Sequence, residues 1–176
     1  MLPFSKSLCT AAGALAVGLV VAPAASAATS PQWYMLAPGD SCQLSLPTID
    51  TVVRPRANGY RNEGTAAKYV ICGYGGTVYT GGVNVMNVFL TSIDGGSHSV
   101  NCTFVAGTDQ TPSSLVYVTK TITADSSGTT YAYVFPSDFG FPGSSFTPYN
   151  ISVTCTLPAQ VAITHLEINQ NVEIGT

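Results

Sequence analysis

Nucleophilic catalysis needs a base beside a serine or cysteine, and the chain offers two histidines for that task, His98 and His165. His98 follows Gly95-Gly96-Ser97 and reads as part of a wet turn. His165 lies in an apolar closing segment, on its outer face. No Gly-x-Ser-x-Gly elbow accompanies either imidazole. Paired carboxylates could act on glycosidic bonds without histidine. However, Asp40, Asp50, Glu63, Asp94, Asp109, Asp125 and Asp138 fall mainly in turn-like stretches, where Asp serves local hydrogen bonding. Glu167 and Glu173 lie on or beyond the last strand. Asp138, in a long irregular stretch, comes nearest to a catalytic candidate. No loop has the dense Asp/Asn run of a calcium site. The expectation is of no catalytic residue, no metal and no cofactor, with a hydrolase of extracellular polymers as the third-ranked reading.

Five cysteines are present, of which Cys9 belongs to an N-terminal leader. Cys42, Cys72, Cys102 and Cys155 remain, without the Cys-x-x-Cys spacing of a zinc or redox site. An even count in an exported chain reads as two disulfides, and three pairings are open. Aromatic side chains suggest a different chemistry. Trp33 and Tyr34 stand near the mature start, Tyr74 and Tyr79 among glycines, and Phe139 and Phe141 in the long loop. Exposed rings stack on sugars or anchor a protein partner. Trp33, Tyr34, Phe139 and Phe141 are therefore the expected ligand-binding set, against the alternative that such rings plug the ends of the fold. Asn101-Cys102-Thr103 and Asn150-Ile151-Ser152 match glycosylation sequons and read as ordinary outward-facing strand residues.

Residues 1–27 have the three parts of a secretory signal. Lys6 is its basic end, residues 11–21 its apolar stretch, and Ala25-Ser26-Ala27 its cleavage site. The apolar run is too short for a permanent span, so no membrane anchor is expected after cleavage. The address is periplasmic or extracellular, and the small-residue leader suggests a bacterial source. Residues 28–176 suit a single disulfide-stabilised domain. With six basic against nine acidic side chains and no cluster of either sign, nucleic acid is not an expected partner.

Within residues 28–176, helical periodicity is almost absent. Short runs of Val, Ile, Thr, Tyr and Phe alternate with Gly, Pro, Ser and Asp. In residues 99–105 the side chains of Val100, Cys102 and Phe104 share one face, and in 149–157 those of Ile151, Val153, Cys155 and Leu157 do. Further strands are expected over 68–72, 83–91, 115–123, 129–135 and 161–169, with weaker ones at 33–36 and 43–46. In 161–168 the apolar phase shifts from odd to even positions, which predicts a bulge and suits an edge strand. Asp94-Gly95-Gly96-Ser97 and Asp125-Ser126-Ser127-Gly128 read as hairpin turns. The fold class expected is all-β, an antiparallel two-layer β-sandwich of about 7–9 strands. A small β-barrel is the alternative.

Three segments together resemble a set of uncharacterised secreted proteins of Gram-negative bacteria. They are Gly59-Tyr60-Arg61-Asn62 followed by Tyr69-Val70-Ile71-Cys72, then Val100-Asn101-Cys102-Thr103, then residues 149–158 with an Ile-rich closing strand. Gly73 stands where that set has proline after the first cysteine of the pattern. The resemblance implies a β-sandwich and export, and no activity. Within that picture Cys102 pairs with Cys155 and Cys42 with Cys72. The functional expectation is a non-enzymatic extracellular binding module for glycan or protein. Second comes a structural protein that assembles through an exposed edge such as 161–169.

Overall fold

The structure, a computed structural model, describes residues 28–45, 52–75, 82–107, 114–127 and 130–174. The expected leader with Cys9 lies outside these residues, as do Tyr79, Asp50 and Asp109. Two antiparallel sheets face each other across one apolar core, and neither closes into a barrel.

Sheet A has the order β3 (Val53–Arg56), β4 (Gly59–Asn62), β11 (Val161–Glu173), β6 (Val83–Ser92) and β9 (Thr130–Val134). The strand β1 (Thr29–Leu36) joins it beside β11, on residues 166–173, beyond the point where β4 pairs with residues 161–163. Sheet B has the order β2 (Cys42–Leu44), β5 (Lys68–Gly73), β10 (Asn150–Leu157), β7 (His98–Gly107) and β8 (Leu115–Ala124). A single helical turn, α1 (Pro38–Ser41), carries the chain from β1 to β2.

The described residues thus form eleven strands. The two that periodicity does not reveal are β3 and β4, whose Arg54-Pro55-Arg56 run has no apolar alternation. They form a hairpin whose close approach to β11 depends on Gly59, at φ 138°. A Cβ there would sit 2.5 Å from the Ile163 carbonyl oxygen, so only glycine fits.

Alternation builds the core as expected on sheet B. Val100, Cys102 and Phe104 of β7 and Val153, Cys155 and Leu157 of β10 are fully buried. Sheet A answers with Met86, Val88 and Leu90 of β6 and Ile163, Leu166 and Ile168 of β11. Cys42 is bonded to Cys72 and Cys102 to Cys155. Each bridge joins directly opposed residues of neighbouring strands, so both staple sheet B within itself. With sequence separations of 30 and 53 residues, loop closure in the unfolded chain makes each worth about 4 kcal/mol.

Three expectations about connectivity are corrected. β11 is an interior strand of sheet A, paired along one flank with β4 and β1 and along the other with β6. Its bulge is present, as a register shift between Ile163 and His165. The phase change therefore reorients an interior strand and does not blunt an edge. Asp94–Ser97 links β6 of sheet A to β7 of sheet B, and residues 125–127, with Gly128 outside the described residues, follow β8 of sheet B ahead of β9 of sheet A. Neither turn is a hairpin. Asp and Gly favour a tight reversal either way, and the strands' partners decide whether it closes a ladder or crosses the core.

One buried polar residue ties the sheets together. Asn62, at the end of β4, is fully buried, and its Nδ2 donates to the carbonyls of Ala66 and Leu157, both at 2.9 Å. Its Oδ1 accepts from the Gly64 N–H at 3.0 Å. Leu157 ends β10, so this amide bridges sheet A to sheet B with its polar atoms satisfied. Asn62→Ala is expected to destabilise the fold by about 2–3 kcal/mol, because backbone partners are left unpaired. Urea unfolding of the variant, with a native-like far-UV spectrum at zero urea, checks it.

Candidate functional site

Cross-strand registers place a row of side chains on the outer face of sheet A. His165 of β11 lies opposite Phe89 of β6, which lies opposite Tyr131 of β9. One step along, Met35 of β1, Glu167, Asn87 and Tyr133 form a second row. Trp33, Asn169 and Val85 form a third. Opposed residues share a face. Their inward neighbours Leu166, Ile168, Met86 and Val88 are core.

The rings are in contact along this face. The His165 imidazole stacks on Phe89 with centroids 3.9 Å apart, and Phe89 meets Tyr131 at 5.3 Å. Tyr131 packs edge-on to Tyr133 at 4.8 Å, and Tyr133 lies 6.2 Å from Phe135. Tyr131, Tyr133 and Phe135 are 50%, 40% and 49% exposed, far more than a core role requires. Across the sheet Trp33 is 54% exposed. It stands three strand spacings from β9, about 14 Å.

Between these aromatic flanks sits a fixed carboxylate. Asn87 Nδ2 donates to Glu167 Oε2 at 3.2 Å, and His165 Nε2 lies 3.6 Å from Glu167 Oε1. Asn87 is fully buried, so it acts as a support that orients Glu167, and its Oδ1 has no partner among the described residues. Farther along, Asn84 Nδ2 donates to Asn169 Oδ1 at 2.8 Å and to Asn171 Oδ1 at 2.9 Å. The face therefore combines apolar ring surfaces with hydrogen-bonding groups of both kinds.

The remaining expected residues lie elsewhere. Tyr34 is opposite Ile168 on the inward side of β1 and 37% exposed. Tyr74 is buried, its hydroxyl donating to the Asn87 carbonyl at 2.7 Å, and burial pushes that hydroxyl's pKa well up. Phe139 ends a short 3₁₀ turn (Pro136–Phe139) and is 8% exposed. It packs on Phe146 at 5.7 Å, while Phe141 stacks on Phe146 at 4.8 Å. Phe146 in turn is bridged to Val83 through both backbone bonds. Phe139 and Phe141 thus close the end of the sandwich, and accessible rings lie on β1 and around β9, with Tyr69, Tyr117 and Tyr149 exposed singly on or beside sheet B. The periodic signal was present, since Tyr131, Tyr133 and Phe135 alternate with the buried Ala132 and Val134.

The polar groups singled out for catalysis have structural partners. Asp94 Oδ1 accepts from the Ser92 hydroxyl and the Gly96 N–H, both at 2.8 Å, and meets His98 Nε2 at 2.8 Å. These bonds, that to His98 foremost, hold its carboxyl down at about 2. Glu63 takes Arg56 at 2.7 Å and Arg54 at 2.9 Å, which hold it at about 2 as well. Asp138 is pushed up by burial, but Lys120 at 2.7 Å and the Phe135 N–H at 2.8 Å leave it below the ordinary value. That ion pair joins β8 to the 3₁₀ turn. Thr164 Oγ1 lies 3.3 Å from His165 Nδ1, yet it donates to the Phe89 carbonyl at 3.3 Å, so its proton is committed to the backbone. No group of three or more His, Cys, Asp or Glu side chains fit to hold a metal occurs among the described residues.

Comparison with protein-family profiles, with curated proteins and with solved structures gave no match.

Two outcomes follow from this placement. Phe139→Ala is expected to cost about 3 kcal/mol in denaturant unfolding, whereas Tyr131→Ala costs less than about 1 kcal/mol. Equal losses would refute the division into plug and platform. The second concerns acid. Asp94, Glu63 and Asp138 have folded-state pKa values below their unfolded ones. The stability they add is therefore complete above their ordinary values and is lost as pH falls through the lowered ones, about 2 for Asp94 and Glu63. Thermal midpoints should fall through that window, less steeply in Asp94→Asn than in the parent.

Proposed function

We propose that the protein is an exported, non-enzymatic binding module that takes a glycan on the outer face of sheet A. The observation that carries this reading is the contiguous ring series His165–Phe89–Tyr131–Tyr133–Phe135, its last three members 40–50% exposed, beside the oriented Glu167 carboxylate. Large rings left in water cost hydrophobic free energy that a monomeric fold recovers by burying them, so a contiguous exposed series marks a ligand surface. The C–H faces of a sugar ring suit the apolar rings. Its hydroxyls, each donor and acceptor, suit the carboxylate and imidazole between them. Two disulfides support folding in an oxidising compartment, and the leader-like residues 1–27 support export from a bacterial cell. The proposal extends to kinship with the secreted Gram-negative set that the three cysteine-bearing segments resemble.

A glycan array probed with the chain from residue 28 onward, followed by calorimetry on the strongest hit, tests the reading. Tyr131→Ala with Tyr133→Ala should weaken binding at least about tenfold, equivalent to ~1.4 kcal/mol. Glu167→Gln should weaken it while leaving the unfolding curve in place. An array without hits, or an affinity indifferent to the paired tyrosine substitutions, would remove the proposal. Binding to a protein instead would reassign the same surface.

A further inference from the structure

Among the described strands, β1 is attached to the fold by one ladder only, that with β11. Its residues are exposed except for Ser30 and Leu36, which are half-buried. The flank of β11 beneath it is different. Leu166 and Ile168 are buried there, and residues 166–173 present backbone groups that must be paired. That flank needs a strand of this sequence in this register, whichever chain supplies it.

The two edges of β1 are not equivalent. The Ile174 N–H donates to the Ala28 carbonyl at 2.9 Å, and the register continues as Thr29 opposite Glu173 and Ser30 opposite Val172. Hydrogen-bonded pairs alternate in an antiparallel ladder. The even-numbered residues of β1 therefore turn their backbone groups to β11, and Thr29, Pro31, Trp33 and Met35 turn theirs to the open edge. Asn171, opposite Pro31, agrees: its N–H points away from β1, to the Gly82 carbonyl at 2.9 Å. Pro31 has no N–H, so the open edge lacks a donor near its middle. It is a poor template for a further strand.

The connection behind β1 is one short turn, with Pro38 buried in it. Ala37 has extended φ and ψ of −71° and 125°, Pro38 opens the single turn α1, and Cys42 is held to Cys72 by a disulfide. Five residues, Ala37 to Ser41, thus lie between an arm held by a single ladder and a covalent anchor. Extended, they span up to about 17 Å, enough to carry β1 off its own sheet.

We propose that β1 is exchanged between two copies of this chain, each seating residues 29–36 on residues 166–173 of the other. Every contact of the ladder is recreated in the exchanged form, so its balance with the single chain is set by the hinge and by concentration. A two-fold dimer closes the assembly and satisfies both β11 flanks. Trp33 and Met35 of one copy then stand beside Asn169 and Glu167 of the other. The inference is independent of the glycan reading, because mass and linkage alone report it.

Thr29 and Glu173 are directly opposed, lie at a non-hydrogen-bonded position where Cα atoms come closest, and stand at the end of the outer face, four residues along β1 from Trp33 and away from the core. Chains carrying Thr29→Cys alone and Glu173→Cys alone are mixed at high concentration, oxidised and digested without reduction. The expected result is a covalent species of doubled mass with position 29 of one chain linked to position 173 of the other. A variant carrying both substitutions should close the bond within one chain when dilute, which shows that the geometry permits it. Light scattering on the unmodified chain is the second readout, and its mass should double on concentration. A mass that stays at one chain throughout would overturn the proposal. So would a dimer linked 29 to 29, which would mean edge-to-edge contact.

Discussion

The outer face of sheet A depends on a single extra residue in β11. Up to Ile163 the odd-numbered side chains of this strand are core, and from Leu166 onward the even-numbered ones are. The register shift between Ile163 and His165 makes the change, with the Thr164 hydroxyl bonded to the Phe89 carbonyl beside it. Side chains alternate with a period of two, so one inserted residue transfers every later residue to the opposite face. Without it, His165, Glu167 and Asn169 would point into the core and Leu166 and Ile168 into water. The bulge thus places an imidazole and a carboxylate among exposed rings without disturbing the apolar interior.

The two sheets divide the work. Sheet B contains both disulfides, each between neighbouring strands, so that β2 with β5 and β7 with β10 are covalent pairs. Sheet A contains none and carries the surface rings. Its attachment to the stapled sheet comes from the shared core, from Asn62 reaching the end of β10, and from Lys120 of β8 meeting Asp138 beyond β9. Lys120 shares the inward-facing set of β8 with Ile122 and Ala124, and β8 is an edge strand. An inward-pointing lysine at that position hinders pairing with a foreign strand. The edges of β8 and β1 are therefore protected by different means, a charge in one and a proline in the other.

Much of this was legible beforehand wherever local pattern and burial coincide. Val100, Cys102 and Phe104, and Val153, Cys155 and Leu157, alternate cleanly and are core. The bulge in β11 could be read from the phase of Val161, Ile163, Leu166 and Ile168. The pairing of Cys42 with Cys72 and of Cys102 with Cys155 agrees with the picture drawn from the resembling set. Three features depend on range and are not set by local pattern. Asp94–Ser97 has hairpin chemistry, but β6 and β7 belong to different sheets. The bulge of a terminal strand suits an edge, yet neither a bulge nor chain order says which strands flank β11. Phe139 and Phe141 sit among prolines and glycines and look exposed, whereas backbone bonds between Phe146 and Val83 fold that stretch over the end of the core.

Local pattern determined what needs only neighbours along the chain: strand periodicity, the phase shift at Thr164, turn propensity and the number of thiols available to pair. Tertiary structure alone decided which strands lie side by side. That choice set His165 against Phe89, Phe89 against Tyr131, and β1 against the second half of β11. The physical reason is that a pleated strand specifies two faces but not its partners. Partners follow from the cooperative packing of two apolar faces and the need to pair every buried backbone group, and both conditions involve residues far apart in the chain.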